Sequence, residues 1–205
     1  MRDLAEKIED VLSDGATQVA LKRNGTAFLK NTESPIERLL AFAIIANGEW
    51  SSRVVILDDE DVCIEMMKLA LERSFSIRAA SQVHIGSYRV DFLLSIARQN
   101  GEPPLHVAVE CDGHDFHERT KEQAARDKKR DRDLMAMGVQ VMRFTGSQIW
   151  EDAGECARSV FYFLENERTA SCERHDAAMV KQYGSMEAYV EAMALKIRVK
   201  QREAA

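Results

Sequence analysis

The sequence predicts an α/β protein with a central mixed sheet of four or more strands flanked by helices. Two long apolar runs that meet at Gly86-Ser87 predict a β-hairpin over residues 77–96. A further apolar run begins at Leu105, and an alternating run ends at Phe144, with a polar helical segment between them. A hairpin followed by strand, helix and strand indicates a sheet covered by helices.

Two helices are predicted before the hairpin, after a peripheral N-terminal element whose first 13 residues have helical periodicity. Ser34 is a suitable N-cap, Pro35 is the first helical residue, and Glu37 stands three residues after the cap. This helix is apolar almost all round up to about Asn47, so it should lie in the core. An acidic run precedes the second helix, whose apolar stripe is formed by Ile64, Met67 and Leu71.

The remaining elements are bounded by turn residues. Strands are predicted at 77–85, 88–96, 105–111 and 139–144, and helices at about 118–137, at about 146–165 and within 168–205. Gly138 is well placed as the C′ residue of the first of these helices.

The length of 205 residues allows one domain with a sizeable core and extra helices at its ends. We expect a helical N-terminal extension at 1–30, the core domain at 31–165, and a C-terminal helix with a basic tail at 166–205. A hydrophobic content of 45% and a charged content of 30% are those of a soluble globular protein. The net charge of −6 gives no global basic field, so a nucleic acid would have to be bound by a local patch.

The cysteines and the first residues predict a cytoplasmic protein. The four cysteines are scattered rather than spaced as a disulfide framework, which favours reduced thiols. Met1 is followed by charged residues without an apolar signal core, and no stretch approaches the roughly 18 apolar residues of a membrane span. We therefore expect no membrane partner.

Two acidic residues interrupt apolar strands. Asp91 lies within Tyr-Arg-Val-Asp-Phe-Leu-Leu, and Glu110 lies within His-Val-Ala-Val-Glu-Cys. A carboxylate in a buried strand is costly unless it is paired, hydrogen-bonded or bound to a cation, and two of them on neighbouring strands repel each other. A divalent metal ion would remove both costs. Because seven Lys or Arg follow between His117 and Asp133, these parts suggest a metal site that faces a phosphodiester.

An ordered set of motifs extends this interpretation: Ser34-Pro35-Ile36-Glu37, Tyr88-Arg89-Val90-Asp91-Phe92, Val109-Glu110-Cys111-Asp112-Gly113, His117, Asp127 with Arg130 and Leu134, and Gly138 to Phe144 with Arg143. In this order the motifs resemble the PD-(D/E)xK nuclease superfamily, also called restriction-endonuclease-like. Within it, the chain looks most like the branch related to very-short-patch-repair endonucleases. The resemblance covers roughly residues 32–150.

The resemblance implies a fold, a cofactor, a substrate and a set of site residues. Asp91 and Glu110 would hold Mg²⁺ or Mn²⁺, helped by the backbone carbonyl of Cys111, with Glu37 approaching from the first core helix. The partner would be DNA, and the reaction would be in-line attack of a metal-activated water on phosphorus.

The chain departs from the superfamily at the position of the motif Lys, two residues after Glu110, where it has Asp112. We expect a basic residue of the following segment to replace this Lys, with Lys121 or His117 ahead of Lys128, because steps of four and seven place them roughly on one helix face. The loop before His117 is also one residue longer than the superfamily pattern.

Each site residue also has a structural interpretation. Glu37 can simply complete a capping box at the helix start. Asp91 can form a salt bridge with Arg89 or Arg38, and Glu110 can pair with a Lys. The occurrence of both acids on adjacent apolar strands favours the metal site, because clustered like charges need a counterion.

Two further alternatives concern the polar residues around the site. The basic run at 119–132 is interleaved with acids and by default forms a solvated helix with side-chain pairs. A zinc site would instead use sulfur and nitrogen ligands. The candidates are Cys111 with His114 and His117 in one group, and Cys172 with His175 in the other. No two-knuckle pattern of paired cysteines supports such a site.

The sequence thus predicts a metal-dependent DNA endonuclease. The alternative, from another functional class, is a nuclease-fold module that binds nucleic acid or a partner protein without cutting, since the Lys position is vacant and the net charge is acidic. Binding of a divalent ion by Asp91 and Glu110 distinguishes the two.

Overall fold

The computed structural model describes residues 26–50, 54–57, 62–71, 76–99, 101–113 and 121–203. In chain order these residues form α1 (Thr26–Lys30), α2 (Pro35–Trp50), β1 (Val54–Ile56), α3 (Ile64–Leu71), β2 (Ile77–Ile85), β3 (Tyr88–Ile96), β4 (Leu105–Asp112), α4 (Lys121–Ala136), β5 (Val139–Thr145), α5 (Gly146–Tyr183) and α6 (Met186–Glu203). The helical periodicity predicted for residues 1–13 lies outside the described residues. None of the helices in these segments is long and apolar enough to cross a membrane.

The five strands form one mixed sheet in the order β1-β2-β3-β4-β5. The central pairs β2/β3 and β3/β4 are antiparallel, and the outer pairs β1/β2 and β4/β5 are parallel. The predicted α/β class with a mixed sheet of four or more strands is therefore confirmed. Parallel pairing needs a crossover between strands, and α3 and α4 provide it at the two edges of the sheet.

The central hairpin forms where the sequence predicts it. Ile85 pairs with Tyr88 across a two-residue turn in which Gly86 has a φ of +61°. A left-handed φ suits the tight turns that match the twist of the strands, and glycine adopts it without steric cost.

Helix α2 begins at Pro35, and the amide of Glu37 donates to the Ser34 hydroxyl oxygen over 3.2 Å, as expected of an N-cap. The helix continues to Trp50, beyond the predicted end near Asn47. The Asn47 side chain donates to the Ala43 carbonyl within the helix, so it does not end the helix there.

The core lies on both faces of the sheet. On one face, α2 and the first part of α5 cover β2, β3 and β4 through residues that include Leu40, Ile44, Phe92, Val107 and Leu164. On the other face, α3 and α4 pack through Met67, Leu71 and Leu134. Strands β3 and β4, covered on both sides, are mostly buried and mainly apolar, and this makes the acids within them unusual.

Three further features differ from the sequence-based prediction. Strand β1, which pairs with β2, was not predicted, because three residues are too few for a periodic pattern. Helix α1 was also not predicted. Helix α5 runs past Glu165 to Tyr183, with one non-helical residue at Asp152, whose carboxylate accepts the amide of Glu155 as an internal N-cap.

The chain divides into two compact units. The first comprises residues up to Ala97 together with Pro103–Glu165, and it contains the sheet. The second comprises Arg98–Glu102 and Asn166–Ala205, and within it the Arg174 guanidinium binds both oxygens of Glu102 at 2.8 and 2.9 Å. The predicted domain boundaries remain predictions.

Candidate metal centre

Asp91 lies in β3 next to Phe92, which forms the last residue pair with Val109 of β4. Its carboxylate accepts a hydrogen bond from the Cys111 amide, with 2.7 Å between Oδ2 and N. Burial raises the pKa of Asp91 to about 6, although the hydrogen bond from Cys111 opposes this rise, and the nearby negative charge of Glu37 adds to it. In the alternative interpretation Asp91 would pair with Arg89 or Arg38, but the Arg89 guanidinium pairs with Glu33 at 2.6 Å.

Glu110 lies in β4 and is 5% exposed. Burial raises its pKa to about 7, with a further contribution from the negative charge of Asp91. Its Oε1 accepts a hydrogen bond from the Arg130 guanidinium of α4, so Glu110 is paired with a basic residue, an Arg rather than a Lys. The Arg130 charge lowers the pKa of both carboxyls but does not offset their burial.

Glu37 reaches the site from the first turn of α2. Its Oε2 accepts two hydrogen bonds, each of 2.9 Å, from the Glu33 amide and from the Gln82 side chain of β2. The first bond is capping-like and the second is a tertiary contact, so the capping role and a role in the acid cluster occur together. The negative charge of Glu37 raises the pKa of Asp91, which places the two carboxylates within electrostatic reach.

Gln82 belongs to the site and was not predicted from the sequence. It has a φ of +53°, the left-handed region that non-glycine residues rarely adopt, and its side-chain oxygen is buried without a hydrogen-bond partner among the described residues. The β2/β3 ladder pairs Ser81 with Phe92 and Val83 with Val90, and it omits the pair between them, Gln82 and Asp91.

The alternation of the strands also shifts at this omitted pair. Val90 and Phe92 are two residues apart and would normally share a face of the sheet, yet they pack in the two opposite core clusters. On β2, Ala79 and Val83 are four residues apart and would also share a face, yet they too pack in the two opposite core clusters. Local backbone strain thus coincides with the position of Asp91, an association that is typical of functional sites.

Asp112, which replaces the motif Lys, binds an Arg. The Arg143 guanidinium of β5 lies 3.3 Å from Asp112 Oδ1 and 2.5 Å from Asp131 Oδ1 of α4. Arg143 is also the register partner of Glu110, and its positive charge lowers the pKa of that carboxyl. Two arginines therefore lie beside Glu110: Arg130 pairs with it, and Arg143 is its register partner on β5.

The three predicted substitutes for the Lys are not brought to the carboxylates in the described residues. His117 lies outside those residues, and the side chain of Lys121, the first residue of α4, lies outside them as well. Lys128 lines a cavity of about 320 Å³ together with Asp112, Ala124, Asp127, Asp131, Arg143 and Thr145. The assignment among His117, Lys121 and Lys128 stays a prediction.

The carboxylates fit a hard divalent cation. Two acids with raised pKa values at adjacent strands carry a repulsion that a cation would relieve, and Mg²⁺ is commonly held by one or two carboxylates and several waters. No group of three Asp, Glu, His or Cys side chains in the described part of the chain is arranged to hold a metal. A metal held here would therefore have two carboxylate ligands, and water and backbone oxygen would complete its coordination.

The sulfur and nitrogen ligands of a zinc site are not brought together by the described residues. Burial and the surrounding carboxylates raise the pKa of the Cys111 thiol far above its usual range, so it stays protonated, whereas zinc binds thiolate. His114 and His117 lie outside the described residues. Cys172 and His175 both lie in α5 and form no metal group with a third described side chain.

A comparison with protein families gives one match, to the restriction endonuclease-like family REase_MTES_1575, over residues 66–164. This match supports a restriction-endonuclease-like nuclease, and the five-stranded sheet flanked by helices is an α/β core of that kind. The matched segment contains Asp91, Glu110, Arg130 and Arg143 but not Glu37. No curated protein and no solved structure matches the chain. The finer resemblance to the very-short-patch-repair branch stays a prediction.

Proposed function

We propose that this protein is a divalent-metal-dependent endonuclease that hydrolyses phosphodiester bonds in DNA, in repair or restriction. The observation that carries the proposal is the pair of carboxyls on adjacent strands within the matched segment, with Glu110 buried and Asp91 half-buried. Two like charges in an apolar sheet destabilise the fold, and strongly perturbed acids of this kind mark functional sites.

The chain's own residues supply most of the proposed site. Asp91 and Glu110 would hold Mg²⁺ or Mn²⁺ together with the Cys111 carbonyl. The Cys111 amide already fixes one Asp91 oxygen over 2.7 Å, which leaves the other oxygen as the candidate ligand atom. When bound, the metal supplies an acidified water for in-line attack on phosphorus and offsets charge on the phosphate.

Glu37 and Gln82 would act behind these ligands. The Gln82 amide and the Glu33 backbone both donate to Glu37 Oε2, and the two bonds fix the orientation of the carboxylate. A charged Glu37 next to Asp91 would increase the attraction of the site for a cation, so Glu37 acts as a third acid without having to be a direct ligand.

The proposal is tested with a panel of DNA substrates that includes duplex, mismatched, nicked, branched and single-stranded forms, in Mg²⁺ and in Mn²⁺. The wild-type protein should cut at least one of them, and Asp91→Asn should not. Asp176→Asn, which removes an exposed carboxylate in the second unit, is the matched control and should cut like the wild type. Cleavage that survives both chelation and Asp91→Asn would contradict the proposal.

The second candidate is a nuclease-fold module that binds nucleic acid or a protein without cutting. Two observations favour it: Asp112 stands in the Lys position, and Glu110 already forms an ion pair with Arg130. Isothermal titration with Mn²⁺ separates the candidates, because the enzyme must bind Mn²⁺ in a manner that Asp91→Asn abolishes. A module in which Arg130 permanently replaces the metal would show no such binding.

A further inference from the structure

Arg130 is the only described side chain that forms an ion pair with Glu110. It belongs to α4, which packs in one core cluster, whereas Glu37 belongs to α2, which packs in the other. Its Nη2 donates to Glu110 Oε1 and, over 2.6 Å, to the backbone carbonyl of Arg89. The Glu110 side chain is 7% exposed and that of Arg130 is 23% exposed. The ion pair is therefore buried at the carboxylate and partly open to solvent at the guanidinium.

The charge of Arg130 acts on both acids. It lowers the pKa of Asp91 as well as that of Glu110, in opposition to their burial. Of the two acids, Arg130 is hydrogen-bonded to Glu110 alone, since Asp91 accepts the Cys111 amide instead. The second arginine, Arg143, pairs with Asp112 and Asp131, so a divalent cation would be a counterion that binds both carboxylates at once. A cation bound to the same carboxylates would in turn repel the guanidinium, since like charges at short range in a poorly hydrated site interact strongly.

Helix α4 does not depend on Arg130 for its attachment to the sheet. Leu134 is completely buried in the core cluster on this face, and Tyr88 donates to Asp133 over 2.5 Å. Because these contacts hold the helix, the ion pair of Arg130 can open without loss of the fold.

We infer that Arg130 is an exchangeable counterion: its guanidinium pairs with Glu110 while the metal is absent and gives up Glu110 when a divalent cation binds. The inference rests on the proposed function. A released guanidinium at the partly open edge of the site is suited to a phosphate oxygen, the partner that arginine binds most readily after a carboxylate. Arg130 would then serve as a positioning residue that links metal binding to substrate binding.

The inference makes Arg130 and the metal competitors, and this can be measured without any substrate. Arg130→Gln removes the charge but keeps hydrogen-bond donors, Arg130→Lys keeps the charge, and Arg126→Ala removes an exposed charge from the same helix as a control. Each protein is melted in chelator and in saturating Mn²⁺, and Mn²⁺ affinity is measured from the electron paramagnetic resonance signal of the free ion.

The Arg130→Gln protein should melt below the wild type in chelator, gain more from Mn²⁺ than the wild type does, and bind Mn²⁺ at least about fivefold more tightly. Arg130→Lys and Arg126→Ala should keep the wild-type affinity to within about twofold. If Arg130→Gln folds only with Mn²⁺, the exchange is supported in its strongest form.

Two outcomes overturn the inference and can be told apart. Equal gains from Mn²⁺ in wild type and Arg130→Gln, or a variant that fails to fold with and without Mn²⁺, would make Arg130 a fixed structural anchor and leave the proposed metal dependence intact. A wild-type protein that neither binds Mn²⁺ nor gains stability from it would overturn the metal-dependent function and the exchange together.

Discussion

Asp91 and Cys111 join β3 to β4 just beyond the last regular residue pair, through a 2.7 Å hydrogen bond in which the Cys111 amide donates to the Asp91 carboxylate. The bond replaces a backbone ladder contact with a side-chain contact. It therefore leaves a carboxylate at the point where the two strands separate.

We predict that Asp91→Asn stabilises the protein at neutral pH in chelator, because the amide oxygen can accept the same hydrogen bond without a charge. The pKa of Asp91 is about 6 in the folded protein and near 3.8 when unfolded, so wild-type stability falls as pH rises from about 4 through about 6. The variant should exceed the wild type by up to about 3 kcal/mol above pH 7 and match it below pH 4. Urea unfolding at a series of pH values measures the difference.

Asp176→Asn serves as the control for that series and should show no comparable pH-dependent gain. A uniform loss of stability in Asp91→Asn at all pH values would instead identify Asp91 as a structural partner whose charge the fold requires.

We predict that Gln82→Gly is more stable than Gln82→Ala by about 1 kcal/mol, the reverse of the usual order in a strand. Both variants lose the hydrogen bond to Glu37, and only glycine adopts the φ of +53° without strain. Chemical unfolding of the two proteins in parallel gives the answer. The ordinary order, with Ala the more stable, would mean that the left-handed backbone at Gln82 is not maintained in solution.

We predict that one of His117, Lys121 and Lys128 supplies the charge or proton transfer that the motif Lys would give. Alanine at that position should lower the cleavage rate by about 10²–10⁴ while the other two variants change little. Lys181→Ala, in the second unit, is the control. If all three alanine variants cut at the wild-type rate, the arginines beside Glu110 become the remaining candidates, and alanine at Arg143 would be the next measurement.

We predict that the basic end of α6 contributes to DNA binding in a way that does not depend on base sequence. Lys196, Arg198 and Lys200 are exposed there, in an otherwise acidic chain. Deletion of residues 196–205 should weaken binding equally for all sequences and reduce the slope of log affinity against log salt by a few phosphate contacts. Glutamine at these three basic positions in the full-length chain should reproduce the effect. An unchanged slope would mean that the basic end of α6 does not contact DNA and is only a solvated helix terminus, whose charge the helix dipole favours.

Local signals account for the parts of the fold that the sequence predicted. The turn at Gly86 and the N-cap at Ser34 depend on neighbouring residues, and both were found at the predicted positions. The three-residue strand β1 is stabilised by its parallel neighbour rather than by its own sequence, so its pattern carries too little information.

The sequence predicted the acidic residues of the site but not the residues that contact them. Asp91 and Glu110 are recognisable because their charge conflicts with the apolar strands around them. Arg130 lies in a helix whose many charges all resemble solvated pairs, and its contact with Glu110 arises only when α4 crosses back over the sheet. Gln82 gives no signal, because a left-handed backbone at a glutamine is set by tertiary contacts.

The arrangement of the sheet has a consequence for the order in which the site assembles. Strands β2, β3 and β4 pair antiparallel with their chain neighbours, whereas β5 joins through the crossover that carries Arg130. Local pairings form early in folding and crossovers form late, because longer loops must be closed. The two carboxylates should therefore meet before Arg130, their internal counterion, reaches them. The slowest stage of folding is then also the stage at which an external cation could bind the carboxylates and assist folding.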